Sequence, residues 1–421
     1  MGETGLAKTE KRGLTLLEPL VKSRNFRALW LGQMASFFGD SLTSVILPLV
    51  VYGISGSTVD MGIAMALYVF SQVVVLPFAG VLVDTISRVK LMIFTDMVRF
   101  FLGVFLAALA FTDFLTIPWL CFFAVLKGMM DGLFQPAYGA TRAQVYTPDI
   151  RNAANSLSQV GMQAIRLIGP SVGGILFAAL SAGYVFGIDG LTFLISIVSL
   201  MFLKIARPAP APKTEKAKGT KAFFRELAGG YFELKKHSWL WVTIIAFAAI
   251  NVCTSGMNAV ILPWLINVHY GYGPSVYGLV VSASGVGALL GGIIYGTRKS
   301  WPVRGILAYA GIGLEAVAFI ILIFTDWIPG LVILTALGGL GSMFFGLIWE
   351  TSLQELVPEE AFGRVASLDM LGSIALMPLG FLFTGWMAEA IGGLQTAMIL
   401  ASVMIVLVIS AVSIPSVRGY K

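Results

Sequence analysis

The sequence predicts an all-α polytopic membrane protein, twelve transmembrane helices arranged as two six-helix repeats. Three observations predict it. The first is composition: of 421 residues, 57% are hydrophobic and 12% charged, with a mean hydropathy of +0.87, against about 25% charged in a soluble globular chain. The second is spacing, because twelve stretches hold the roughly 20 mostly apolar residues that a membrane-spanning helix needs. The third is an internal repeat. VILP occurs at 45–48 and again at 260–263; Gly62 and Gly80 recur as Gly278 and Gly296; Thr141, Gln144 and Pro148 recur as Thr351, Gln354 and Pro358. Matches in order at nearly one offset mark a duplicated unit.

In chain order, residues 1–24 form a polar N-terminal tail, 25–205 a first six-helix bundle and 206–236 a linker. Residues 237–415 form the second bundle and 416–421 a short C-terminal tail. The tail carries Lys8, Lys11, Arg12, Lys22 and Arg24 and lacks the apolar core of a signal peptide. Spans are expected at 26–53, 59–83, 91–111, 117–140, 155–180 and 184–204, then at 239–267, 275–297, 304–325, 329–352, 363–388 and 394–414. The linker opens RPAPAPKTEKAKGTK, a solvated and partly extended composition, and continues at 221–236 as KAFFRELAGGYFELKK. Aromatics among charges there predict a short amphipathic helix lying on the inner leaflet.

Charge sets the orientation. Of the 28 Lys and Arg, 25 fall in the two tails and in alternate connections, while the opposite loops carry Asp60, Asp113 and Asp326. The positive-inside rule places the basic connections and both termini in the cytoplasm, in a multi-pass cell membrane protein. The net charge of +6 therefore reads as topology and not as nucleic-acid binding. Cys121 and Cys253 lie inside apolar segments without metal or disulfide spacing. No Walker-type Gly-Lys-Ser/Thr sequence and no HExxH occurs, and the two histidines, His237 and His269, sit near span ends. An enzyme, a cofactor and a metal are not expected.

Charged residues inside spans are costly and are functional candidates by default. Asp40 lies deep in the first span, Asp131 in the fourth, Arg166 in the fifth and Glu315 in the ninth; Asp189, Glu350 and Asp369 are shallower. Lys127 and Asp131, four apart, read as a pair along one helix, and Asp96 with Arg99, three apart, as a structural pair. Arg166 has no local partner, and Asp40 or Asp131 could supply one from another helix. A carboxylate at the depth of Asp40 is the first candidate for a group that gains and loses a proton. Aromatics and methionines on several spans offer an adaptable apolar pocket.

Between the second and third spans the chain reads GVLVDTISRVK, residues 80–90. Gly80, Asp84, Arg88 and Lys90 resemble the signature loop of the major facilitator superfamily, with Thr85 and Ser87 where that family usually has Arg and Gly. Gly169, Pro170, Gly173 and Gly174 in RLIGPSVGG resemble the fifth-helix motif of its exporters, with Ile165 in place of the first glycine. LWLGQMASFFGDSLTSVILPL at 29–49, DMVRF at 96–100 and TSLQELVPEEAFGRVASL at 351–368 are similar to its bacterial multidrug, macrolide and siderophore exporters.

The resemblance implies a central cavity faced by Asp40, Asp131 and Arg166, with Glu350 and Asp369 near its inner end and Asp189 and Glu315 on outer helices. It implies a monomeric secondary transporter in the lipid bilayer that exports amphipathic small molecules by alternating access, coupled to protons or to sodium. The charged loop would latch the two halves in one state. Nutrient import and lipid flipping are the alternatives within the same fold, and a non-transporting receptor is the alternative outside it.

Overall fold

The computed structural model describes residues 16–205, 231–232, 234–298 and 301–420. Residues 1–15 of the tail and most of the linker lie outside the described residues, as does most of the amphipathic helix expected at 221–236, of which Tyr231, Phe232, Leu234 and Lys235 are described and helical. Among those described, twelve helices are long and apolar enough to cross a membrane. They are α1 (Arg24–Ser55), α2 (Thr58–Thr85), α3 (Arg88–Phe111), α4 (Ile117–Val145), α5 (Arg151–Ala179) and α6 (Ala182–Met201). After the linker come α7 (Ser238–His269), α8 (Pro274–Gly296), α9 (Arg304–Ile323), α10 (Ile328–Leu356), α11 (Glu359–Ile374 continued by Met377–Ile391) and α12 (Gly393–Ser413).

The hairpins are tighter than the apolar stretches predict. Gly56 and Ser57 alone join α1 to α2: Gly56 turns the chain with a left-handed φ of 67°, and the Ser57 hydroxyl accepts from the Val59 and Asp60 amides. Such a glycine closes one helix and such a serine opens the next. Only Ile86 and Ser87 separate α2 from α3. The stretch 84–90, expected as a loop, is therefore mostly helix, with Asp84 in the last turn of α2 and Arg88 opening α3. A helix can run past its apolar part because charged side chains at the interface are solvated.

Prolines account for two irregularities. The eleventh span, expected as one run, is interrupted at Ala375 and Leu376, just before Pro378 in the first turn of the second piece. Helix α7 holds two π turns, Met257–Ile261 and Leu265–His269, on either side of Pro263. A proline cannot donate to the carbonyl four residues back, and the wider ring accommodates the interruption.

Helices α1–α6 pack mainly on one another, and α7–α12 do likewise. Two seams join the groups, α2 against α11 and α5 against α8. Each is a glycine seam. Gly62 packs on the Phe381 carbonyl and Gly385 on Thr58; Gly278 packs on the Pro170 carbonyl and Gly174 on Pro274. The four positions of one seam are the repeat counterparts of the other, so one duplicated contact is used twice. Backbones approach this closely only where no Cβ intervenes.

Hydrogen bonds reinforce both seams. The Ser171 hydroxyl donates to Ser282 Oγ at 2.8 Å and the Thr58 hydroxyl to the Gly385 carbonyl at 3.0 Å. Glu389 of α11 accepts from the Ser57 hydroxyl at 3.3 Å and the Thr58 amide at 3.2 Å. These hydrogen bonds between the two groups lie toward the side that carries Asp60, Asp113 and Asp326, the acidic side.

The two groups have different interiors. In α7–α12 one continuous apolar cluster runs from Trp239 and Leu353 through Tyr309 and Phe345 to Leu262 and Leu322. In α1–α6 the apolar interior is divided. One cluster, around Phe26, Met92, Phe134 and Leu200, lies toward the basic side. Another, around Leu42, Leu106, Phe123 and Phe186, lies toward the acidic side. The layer between them is polar.

Candidate functional site

That polar layer is assembled from one or two turns of each of five helices. Asp96 and Arg99 come from α3, Lys127 and Asp131 from α4, Asp189 and Ser196 from α6, Asp40 and Gln33 from α1 and Tyr68 from α2. Arg99 pairs with Asp96 at 2.8 Å and with Asp131 at 2.9 Å. The Tyr68 hydroxyl donates to Asp131 at 2.7 Å, and Ser196 donates to Asp96 at 2.7 Å. The Arg99 guanidinium also lies over the rings of Phe134 and Phe193, at 4.3 and 4.8 Å. Desolvated cations gain from such faces.

Lys127 forms the second node. Its ammonium pairs with Asp40 and stands 4.0 Å from Asp189, which accepts from the Thr43 hydroxyl at 2.6 Å. Asp189 reaches this position because Gly39 of α1 leaves it room. Four carboxylates thus share two cations. Buried ion pairs hold only when each charge is matched and hydrogen-bonded. Here two of the four acids lack a matching charge of their own, and Asp189 Oδ1 has no hydrogen-bond partner among the described residues. Asp96, Arg99, Lys127, Asp131 and Asp189 are buried, whereas the Asp40 side chain is 28% exposed. Asp40 is the member that communicates with the surroundings.

A cavity of about 660 Å³ lies beside it, between α5 of the first group and α7–α10 of the second, with Ser41 and Ser44 of α1 on its wall. Arg166 and Gln163 border it from α5. Tyr277, Phe319 and Met343 give it apolar surface, and Glu315 gives it a carboxylate. The Ser342 hydroxyl donates to Glu315 Oε2 at 2.5 Å. Pro170 leaves the Arg166 carbonyl without its helical donor, and Gly285 of α8 packs on that carbonyl.

Several expected positions are corrected. Lys127 does not pair with Asp131 along α4; Arg99 occupies Asp131 and Lys127 reaches across to Asp40. Arg166 takes neither Asp40 nor Asp131 and instead borders the cavity. Asp131 does not line that cavity, being enclosed in the polar layer. Asp189 and Glu315 do sit on α6 and α9, but both side chains point inward. Asp96 and Arg99 pair as expected. Glu350 is exposed on α10, and Asp369, half-buried on α11, lies beside it and Trp349.

In the short hairpin Arg88 donates to the Ala140 carbonyl of α4 at 3.4 Å, while Lys90 and Gly80 are exposed. At the next basic-side turn, a hydrogen bond with Thr147 holds the Asp149 carboxyl below the usual carboxylate range. The Gly-Pro motif packs in two directions: Gly169 and Gly173 against Ser41 and Leu42 of α1, Pro170 and Gly174 against α8. Tyr68 as the donor to Asp131 was not foreseen, since a tyrosine in an apolar span carries no pairing signal of its own.

The family model described as Major Facilitator Superfamily matches residues 29–258 and 246–418. The chain is 24% identical over 393 residues to the multidrug efflux pump Tap of Mycolicibacterium fortuitum, covering 90% of this chain and 93% of that protein. It is 26% identical over 383 residues to the enterobactin exporter EntS of Citrobacter koseri, covering 87% and 88%. A crystal structure of the peptide transporter POT in complex with sulfate superposes with a TM-score of 0.70 at 14% identity, over 94% of this chain and 95% of that one.

Proposed function

The chain belongs to the major facilitator superfamily, and on that premise we propose that it is a proton-coupled exporter of amphipathic small molecules with both termini in the cytoplasm. As a member of that family it is a membrane transporter and not an enzyme. Export is supported by the efflux relatives; proton coupling is supported by one feature of the interior. Four carboxylates share two buried cations, so the layer can take up protons while its net charge moves toward zero. A site at that depth is expensive when charged and useful when its charge is conditional.

Asp40 links this layer to the cavity. It is partly exposed, it holds Lys127, and its neighbours Ser41 and Ser44 line the cavity wall. Protonation of Asp40 releases Lys127 toward Asp189, which alters how α1 meets α4 and α6. Because α1 also forms part of the cavity wall, the same event is felt where substrate sits. The acidic-side seams are closed in this arrangement, which leaves the cavity to exchange with the basic, cytoplasmic side. Alternating access then requires those seams to part.

The test uses purified protein in proteoliposomes with ethidium as the reporter. An imposed proton gradient should drive ethidium uphill and an imposed sodium gradient should not. Asp40→Asn should abolish uphill movement while leaving ethidium exchange down its own gradient. Sodium-driven accumulation, or full proton-driven accumulation in both Asp40→Asn and Asp131→Asn, would overturn the reading.

A further inference from the structure

The network in α1–α6 does not use Glu315, and the resemblance places this acid on an outer helix, away from transport. Its surroundings point elsewhere. Glu315 lies twelfth in α9, roughly 17 Å along the helix and so near mid-membrane. Among the described residues it is the one acid on the wall of the cavity, and its hydroxyl partner, Ser342, lines the same wall from α10. Asn258 of α7 lines the same wall beside it. The neighbours within reach are thus neutral: a hydroxyl that orients the carboxylate and an amide beside it, which leave its charge unmatched. A half-buried carboxylate set among neutral groups, with no Lys or Arg paired to it among the described residues, carries a negative charge that a ligand can complete.

The rest of the wall says what kind of ligand. Tyr277, Phe319, Leu322 and Met343 form an apolar and aromatic surface beside the acid. The cavity volume of about 660 Å³ falls within the range of pockets that enclose drug-sized molecules, about 300–1,000 Å³. A bare inorganic cation needs several converging oxygens at short range and has no use for such a wall. Arg166, the one cation on the lining among the described residues, comes from α5. It is exposed to the cavity, so a positively charged ligand is drawn toward Glu315 and pushed away from Arg166.

We infer that Glu315, oriented by Ser342, is a substrate-recognition site for the positive charge of an amphipathic organic cation, whose apolar body packs on Phe319, Tyr277 and Met343. The inference rests on the export reading only in taking this cavity as a substrate site. Selectivity follows from the two walls. Cationic amphiphiles are preferred over neutral or anionic ones of the same shape, and the preference is set jointly by an attraction at Glu315 and a repulsion at Arg166.

Tetraphenylphosphonium and tetraphenylborate, near-identical in shape and opposite in charge, test it directly by equilibrium binding to the purified protein in lipid nanodiscs. Wild-type protein should bind the phosphonium more tightly than the borate by about tenfold or more. Glu315→Gln should remove most of that preference by weakening the phosphonium alone. Arg166→Gln should act in the opposite sense and tighten the phosphonium, a change that loss of structure does not produce. Should Glu315→Gln fail to fold, Glu315→Asp replaces it, and drawing the charge back by one methylene should weaken the phosphonium and leave the borate unchanged.

Equal affinity for the two ions in wild type, or an unchanged ratio in the folded Glu315 variant, overturns the inference. So does displacement of the phosphonium by millimolar sodium, which would assign the acid to an inorganic cation. Asp40→Asn should keep phosphonium binding. Lost proton coupling with binding intact would then count against the transport reading alone, and lost selectivity with coupling intact against the Glu315 site alone.

Discussion

The two six-helix groups share one ancestral unit and one packing scheme, yet their interiors are made of different material. In α1–α6 two apolar clusters enclose a layer with four acids and two bases; in α7–α12 a single apolar cluster continues past one acid that faces a cavity. The difference teaches that the fold tolerates either interior. Its helices are held by glycine contacts and small side chains, as at Gly128 and Gly132 against α2, or Gly311 against Gly341. Packing of that kind does not depend on what occupies the middle layer. The duplicated scaffold is therefore free to carry ion chemistry in one group and a ligand cavity chiefly in the other.

The sharpest way to break this contrast is Arg99→Ala. Arg99 is the shared partner of Asp96 and Asp131, and its removal leaves both buried carboxylates without a cation. The loss should be about 3–5 kcal/mol, seen as a large fall in melting temperature and in the yield of folded protein. Glu315→Gln, the counterpart in the second group, should cost no more than about 1 kcal/mol, since glutamine keeps an acceptor for Ser342 and no paired cation is left behind. Comparable losses in the two variants would mean that the interiors are not different in kind.

A middle-sized effect is expected at the seams. Gly174→Val places a side chain against the Pro274 carbonyl and Gly385→Val against Thr58, whereas Gly187→Val meets only the Ala107 methyl at an ordinary 3.7 Å. Overpacking should cost each seam variant about 1–3 kcal/mol and should spread the groups. A cysteine at Ser284, on the cavity wall, should then label faster from the acidic side. Matching rates in Gly174→Val and Gly187→Val would show that the seam does not seal the cavity.

The smallest effect belongs to Glu389→Gln. Its carboxylate accepts from the opening turn of α2 at an exposed end, so the loss should be no more than about 1 kcal/mol. Labelling of the Ser284 cysteine should rise severalfold at most, and should rise less than in Gly174→Val. The reverse order would move control of the seal from the glycines to this carboxylate.

Much of the architecture could be read from the sequence because it is written in local terms. Hydropathy marks each span, Lys and Arg mark the loops, and VILP with the paired glycines marks the duplication. Asp96 and Arg99 were legible as a pair because three residues on one helix bring them together. Lys127 and Asp131 show the limit of that logic. Spacing of four says that two side chains share a helix face, but not which neighbouring helix that face meets. Once α3 places Arg99 against Asp131 and α1 brings Asp40 to Lys127, the stronger partners prevail. Glu315 was misjudged for a related reason: the position of a helix at the periphery does not decide where one long side chain points. The breaks at Pro263 and Pro378 were visible as prolines, but the π turns and the pause at Ala375 depend on neighbours that sequence does not display.

The glycine seams carry a thermodynamic consequence. Where backbone meets backbone, closing the joint fixes few side chains beyond the seam hydroxyls and Glu389, and opening it exposes little apolar surface. Conformational entropy and burial, the two large terms of most interfaces, are both nearly absent. The open and closed arrangements are therefore close in free energy. A ligand must favour one by about 5.5 kcal/mol to carry a population from 1:99 to 99:1, and a balanced joint needs less. With so little stored in the joint itself, the proposed cycle needs no more than one proton on a carboxylate or one cation in the cavity to choose between the two arrangements.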